Sequence, residues 1–284
     1  MSLDLESLRE WIGRTETVED LIAPAPAALL TATLDRDDPP SKPGDPLPPP
    51  WHWLYFLPRV KQSEIGPDGH PKRGGFLPPI PLPRRMFAGA RMAFTEPLRI
   101  GEPVRRESTI ADVTLKSGKS GRLVFLLLRH RIFGPRGLAL EEEQDIVYRD
   151  PPDPAATPPA PPAAPQDGEW SREIRPDPVL LFRFSALTFN SHRIHYDLPY
   201  ATGEEGYPGL VVQGPLLATL LLDLARRWRP GAPVGRFEFR AVSPLFATGS
   251  FSVNGAPAEG GRACRLWAAA AGGALAMSAT VNWA

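Results

Sequence analysis

Thirty-six of the 284 residues are proline, and they crowd three tracts: PPSKPGDPLPPP at 39–50, PKRGGFLPPIPLP at 71–83 and PPDPAATPPAPPAAP at 151–165. Proline has no N–H and a fixed φ, so none of these tracts can sit inside a helix or a central strand. The third tract is almost pure Pro and Ala. It has nothing large to bury and few donors to pair, and it behaves as an extended tether. The expected organisation is therefore a module at 1–150, a linker at 151–168 and a second module at 169–284, each near the common size of a domain. The first two tracts flank WHWLYFLP at 51–58, whose aromatic density predicts packing against the body or the lining of a pocket.

Between the tracts the patterning is α+β. LESLREWIG has helical spacing, and APAPAALLTATLDRD at 23–37 is an Ala/Leu-rich helix introduced by prolines. Residues 86–133, rich in Val, Ile, Thr and Phe and cut by Gly and Pro turns, predict antiparallel strands, with ALEEEQDIVYRD closing the set. The second half repeats the plan. FRFSALTFN is a strand candidate, GPLLATLLLDLARRW at 214–228 an apolar helix, and GRFEFRAVSPLF, GSFSVNGAP, RACRLWAAAA and LAMSATVNWA are strands. A helix with a run of strands, twice, implies an internal structural duplication without detectable sequence identity.

Lys plus Arg and Asp plus Glu are both 32, so no net positive field favours nucleic acid or an anionic membrane. No apolar run reaches the roughly 18 residues of a membrane helix. The single Cys264 cannot form an internal disulfide, and no signal-like segment opens the chain, which together point to a cytoplasmic location.

Two of the five histidines lie in NSHRIHYD at 190–197. A turn there would aim Asn190 and His195 into one cleft. A neutral imidazole takes or gives a proton near pH 7, and a carboxamide can orient a water. Downstream, YPGLVVQGPLLATLL opens an apolar helix at Gly214-Pro215, where free backbone N–H groups can hold an anionic oxygen such as a thioester enolate. An acid/base histidine followed by a helix N-terminus suits addition or removal of water next to a thioester.

These residues resemble the hotdog-fold hydratase/dehydratases, the MaoC-like proteins, whose motif is Gly-Asp-x-Asn-Pro-(Ile/Leu)-His. On that motif Asn190 falls on the catalytic aspartate, His192 on asparagine, Arg193 on proline and His195 on histidine. The variant HRIHYD, with LREWIGRTET, PPPWHWLYFLP, GPDGHPKRGGFLPPIPLPRRMFAGA and EEEQDIVYRD, is similar to the branch with an N-terminal FAS1-like dehydratase module, and within it to the mesaconyl-C4-CoA (3-methylfumaryl-CoA) hydratases. One departure is Gln213, where the branch is expected to carry histidine. The resemblance implies a double hotdog with the active site between the modules. It implies addition of water to 3-methylfumaryl-CoA to give citramalyl-CoA, without metal or cofactor, the CoA thioester being the substrate. It casts His195 as acid/base, Asn190 as the group positioning water and the Gly214 N–H as oxyanion donor. Because Asn190 cannot titrate, either His195 serves both proton transfers or another group assists.

Arg193 stands as loop clamp or as partner of the substrate's free carboxylate, with Arg84 and Arg85 as rivals and Tyr207 as an acyl-pocket residue or a simple turn. His192 reads as a structural residue of the loop. A metal set of His192, His195 and Asp197 lacks a further histidine or cysteine at ligand spacing. His52, His70 and His130 sit in no comparable motif, which fits a structural first half. Other readings are a hydratase or dehydratase for another acyl chain, a thioesterase, or a non-catalytic acyl-binding module, and homo-oligomeric association stays open. A thioesterase would want a carboxylate at the helix start, and none lies between Gly214 and Leu222.

Overall fold

The computed structural model describes residues 5–118, 121–151 and 160–284. The first half runs α1 (Leu5–Arg9), β1 (Thr15–Leu21), α2 (Pro24–Thr33), β2 (Arg84–Phe94), β3 (Pro103–Gly118), β4 (Gly121–Gly134) and β5 (Gly137–Arg149). The second runs β6 (Trp170–Ile174), α3 (Pro178–Leu187), α4 (Gly214–Trp228), β7 (Val234–Ala241), β8 (Phe251–Ala258), β9 (Ala263–Ala270) and β10 (Leu275–Trp283). All ten strands join one sheet in the order β1-β3-β4-β5-β2-β7-β10-β9-β8-β6. Read outward from the middle, both halves give second, fifth, fourth, third and first strand. The expected double hotdog is therefore met in its topology, and the halves join where β2 pairs antiparallel with β7 from Gly89↔Arg240 to Ala93↔Arg236.

α4 occupies the expected residues. Pro215 fills its first turn, and its stripe of Leu216, Leu217, Leu220, Leu221 and Leu224 is buried. The stripe packs into a core with Phe237, Phe239, Val253, Met277 and Val281 from the sheet. Each fully buried leucine is worth about 1.5–3 kcal/mol, so this face fixes how the sheet wraps the helix. Asp223, buried on the same helix, pairs with Arg36, Arg172 and Arg227. It is an ionic hub between the halves. The first half has a shorter helix, α2, which packs on α3 and on the 3₁₀ turn Trp51–Leu54. That turn buries Trp51, His52 and Leu54, and Trp53 stands edge-on to Phe87 and Phe239. The aromatic stretch thus packs on the body.

One element differs from expectation. FRFSALTFN is helical through Leu187, because Asp177 caps the preceding turn by accepting from the Leu180 N–H, and Pro178 presets the first helical φ. Aromatic, apolar composition favoured a strand; the cap decides for a helix that buries Leu181, Phe184 and Ser185. Residues 152–159 of the linker lie outside the described residues. Its far end is docked: Ala163 bridges Ala274, and Ala164 is buried beside Trp267. Among the described residues no helix is long and apolar enough to cross a membrane.

Candidate active site

α3 ends at Leu187, and two residues on Phe189 takes φ 48° and turns the chain into the NSHRIHYD loop. Asn190 fastens that turn. Its N–H donates to Ser185 O, and its Oδ1 accepts from the His192 N–H at 3.1 Å. Residues Arg193–His195 form one 3₁₀ turn that buries Ile194 and His195. Val211 N–H donates to Ile194 O, and His195 Nδ1 lies 2.7 Å from Val211 O. A carbonyl only accepts, so Nδ1 carries the proton and Nε2 is a bare acceptor. Burial pushes His195 down to about 4, opposed by the Val211 hydrogen bond and reinforced by His70, so it is a neutral base at pH 7. Three residues beyond Val211, Gly214 opens α4, whose first amides have no intrahelical acceptor. Gln213 roots this corner by donating to Leu181 O and Ser185 Oγ, and its buried Oε1 has no partner among the described residues.

A turn from the first half closes onto this loop. In residues 66–70 the Asp68 carboxylate accepts from both the backbone N–H and Nδ1 of His70, at 3.0 and 2.9 Å. The His70 ring lies 4.1 Å from that of His192, and His192 stands edge-on to His195 at 5.4 Å. Burial, together with His70 and His195, pushes His192 down to about 2. Burial alone would raise Asp68; the hydrogen bond and charge of His70 hold it well below the usual carboxylate range. Both fasteners end on backbone carbonyls: Arg193 N–H donates to Asp68 O, and the Ser191 hydroxyl donates to Gly69 O. The structure therefore brings His70 of the first half against the candidate loop of the second.

Gly69 has φ 89°, and a Cβ on it would lie 1.8 Å from Ser191 O. Gly69→Ala should therefore push the loops apart. The unfavourable φ costs about 1–2 kcal/mol, and kcat/KM should fall on the order of 10²-fold from misplacement by about 1 Å. Steady-state kinetics with a melting curve measures both.

The arginines separate. Arg193 grips Asp197 through Nε and Nη2 at 2.9 and 2.8 Å, donates to Pro67 O and lies over Tyr200. Here it is a clamp. Arg84 pairs with Glu205 at 3.1 Å and covers the ring of Tyr207, which packs on Phe246. Arg85 has no ion pair among the described residues; it faces His70, His192 and Tyr148. One ligand-capable atom from each of Asp68, His70 and His192 falls within 4.8 Å of the others. Asp68 is already committed to His70, and the positive Arg85 faces both imidazoles, so this set fits a proton network better than a cation. A cavity of about 900 Å³ lies elsewhere, lined by Phe94 and Val234 at the opposite end of the β2–β7 seam. Its one histidine, His52, is bound to buried Glu142, so the chemistry is assigned to the His195 corner despite that cavity's size.

The family described as hydroxyacyl-thioester dehydratase type 2 matches residues 50–247. The mesaconyl-C(4)-CoA hydratase of Chloroflexus aurantiacus is 54% identical over 272 residues, 96% of each chain. A MaoC-like dehydratase from Phytophthora capsici superposes with TM-score 0.74 at 11% identity, covering 99% of this chain and 98% of the other. A conserved Mycobacterium tuberculosis protein described as a double hotdog superposes with TM-score 0.57 at 14% identity over 96% of each chain.

Proposed function

Because the chain belongs to the hydroxyacyl-thioester dehydratase type 2 family, we propose that it adds water across the double bond of 3-methylfumaryl-CoA (mesaconyl-C4-CoA) to give citramalyl-CoA. It is a hydro-lyase. The observation that carries the reading is His195: buried, neutral at pH 7, and with its tautomer fixed by the carbonyl of Val211, the residue three positions before the start of α4. Its bare Nε2 accepts from water as the oxygen bonds to C3. The electron pair moves toward the thioester oxygen, which the first amides of α4 from Gly214 onward stabilise. A proton then reaches C2. Asn190 acts by holding the loop that aims His195. A thioesterase has less support, since the one carboxylate of α4, Asp223, is consumed by three arginines.

Purified protein should bleach the enoyl-thioester absorbance of 3-methylfumaryl-CoA. Loss with crotonyl-CoA alone would move the substrate and leave the reaction class.

The substrate's second carboxylate needs a cation in a partly dry pocket. Arg85, free of carboxylates among the described residues and facing the histidines, suits this better than Arg193 or Arg84. Arg85→Gln should lower kcat/KM for 3-methylfumaryl-CoA by about 10²-fold and for crotonyl-CoA only a few fold. Equal losses would return Arg85 to a structural role.

A further inference from the structure

A hydration needs a group that holds the water's proton between O–H cleavage and C–H formation. At the position where the related motif has a carboxylate, this chain has Asn190, which does not titrate and whose Oδ1 is spent on the His192 N–H. His195 is backed only by a neutral carbonyl, Val211 O. Among the described residues no carboxylate pairs with His195. Within the same cluster stands an imidazole that does have one: His70, whose Nδ1–H donates to the Asp68 carboxylate at 2.9 Å. A carboxylate accepts only, so Nε2 of His70 is the bare, basic atom.

We infer that His70, oriented and charge-compensated by Asp68, is a second catalytic base of this site, contributed by the first half of the chain. This rests on the hydratase reading above. His195 and His70 divide the work. Each offers an Nε2 acceptor to an O–H bond of the attacking water. The O–H bond on the His70 side breaks, and its proton goes to Nε2. The oxygen forms the bond to C3, the C2–C3 π pair becomes the enolate, and the proton on His70 then passes to C2. One water is consumed and no proton is gained or lost. Asp68 stabilises the transient imidazolium, as a carboxylate behind an imidazole does in hydrolytic triads.

Four observations converge. The His70 ring lies against His192, which touches His195 in turn. The turn is fastened to the catalytic loop by the Arg193 N–H and Ser191 Oγ. Gly69 leaves no room for a side chain between the two loops. The turn is also rigid in itself, with Gly66 N–H on His70 O and Gly69 N–H on Gly66 O. The charged and titratable groups facing His70 are Asp68 on its own turn, Arg73 beyond it, Arg85 on β2, and His192 and His195 on the loop; Tyr148 on β5 faces Arg85 and Asp68. Burial lowers His70, with Arg85 and Arg73 adding and Asp68 opposing, so it rests neutral at pH 7.

The test is the pH profile of kcat/KM for wild type, His70→Gln and Asp68→Asn with 3-methylfumaryl-CoA and crotonyl-CoA. His70→Gln should lose about 10²-fold or more with unchanged melting, and imidazole in solution should restore part of a His70→Ala rate. Asp68→Asn removes the charge that raises His70, so its plateau should drop and its acid limb move to lower pH. A role confined to fastening the loops lowers the plateau and leaves that limb in place. His70→Gln within a few fold of wild type, or an unmoved limb in Asp68→Asn, overturns the inference. A wild type that hydrates neither thioester overturns the functional reading and this one with it.

Discussion

His195→Asn should lower kcat/KM for hydration by about 10²- to 10⁴-fold while the melting temperature stays within a few degrees. The choice of asparagine matters. Its Nδ2–H can still donate to Val211 O, as Nδ1–H does now, so the contact that ties the loop to the segment before α4 survives. What disappears is Nε2. His192→Asn is the control: His192 lies between His70 and His195, and burial with its two histidine neighbours keeps it neutral. Substituting it should cost less than substituting His195. If His192→Asn proves the more damaging at equal stability, the assignment of the base within this loop is wrong.

Glu142→Ala should destabilise the fold by about 3–5 kcal/mol, the usual cost of removing one partner of a buried charge pair. Glu142 is 2% exposed. It accepts from His52 Nε2 at 2.8 Å, Trp53 Nε1 at 3.0 Å and Gln144 Nε2 at 2.9 Å. Burial alone would raise this carboxyl; the charge and hydrogen bond of His52, then His130 and Gln144, bring it down to about 2. Its folded value is therefore depressed below the unfolded value of about 4.3. The stabilisation is complete above that value and drains away as pH falls toward 2. Denaturant melts of wild type and Glu142→Ala should show a gap at pH 7 that narrows below pH 4. A gap that persists at pH 2 would mean that packing, not charge, is lost.

What was legible in the sequence follows from the range of the interactions. β2 to β5 and β7 to β10 are long, β-rich and punctuated by Gly and Pro, and α4 carries its own Gly-Pro start, so local pattern was enough. β1 and β6 were missed because TETVEDL and WSREI are short, polar edge strands whose alternation is half charge. FRFSALTFN was misread because the deciding signal, the Asp177–Pro178 cap, lay outside the stretch. The loop with Asn190 and His195 was visible, since its residues adjoin in sequence. Asp68 and His70 were not: their contact with Ser191 and His192 crosses more than a hundred residues, and the one local clue was the glycine in PDGHP. Arg193's grip on Asp197 could have been read as an i,i+4 pair, which would have argued early for the clamp.

The seam between the halves carries a consequence for solubility. β2 and β7 pair over only five residue steps in mid-sheet, and the strands there bury Ala90, Met92, Phe237 and Phe239. The sheet's outer margins, β1 and β6, are short and charged, which discourages further strand addition. Cut the chain in the Pro/Ala tract and each fragment acquires a new margin, apolar on the face that carries Ala90 and Met92 or Phe237 and Phe239, with open backbone donors and acceptors complementary to its counterpart. Such a margin templates both correct rejoining and indiscriminate stacking. Covalent continuity therefore works as a chaperone built into the polypeptide, keeping each sticky edge at high effective concentration with its proper mate from synthesis onward.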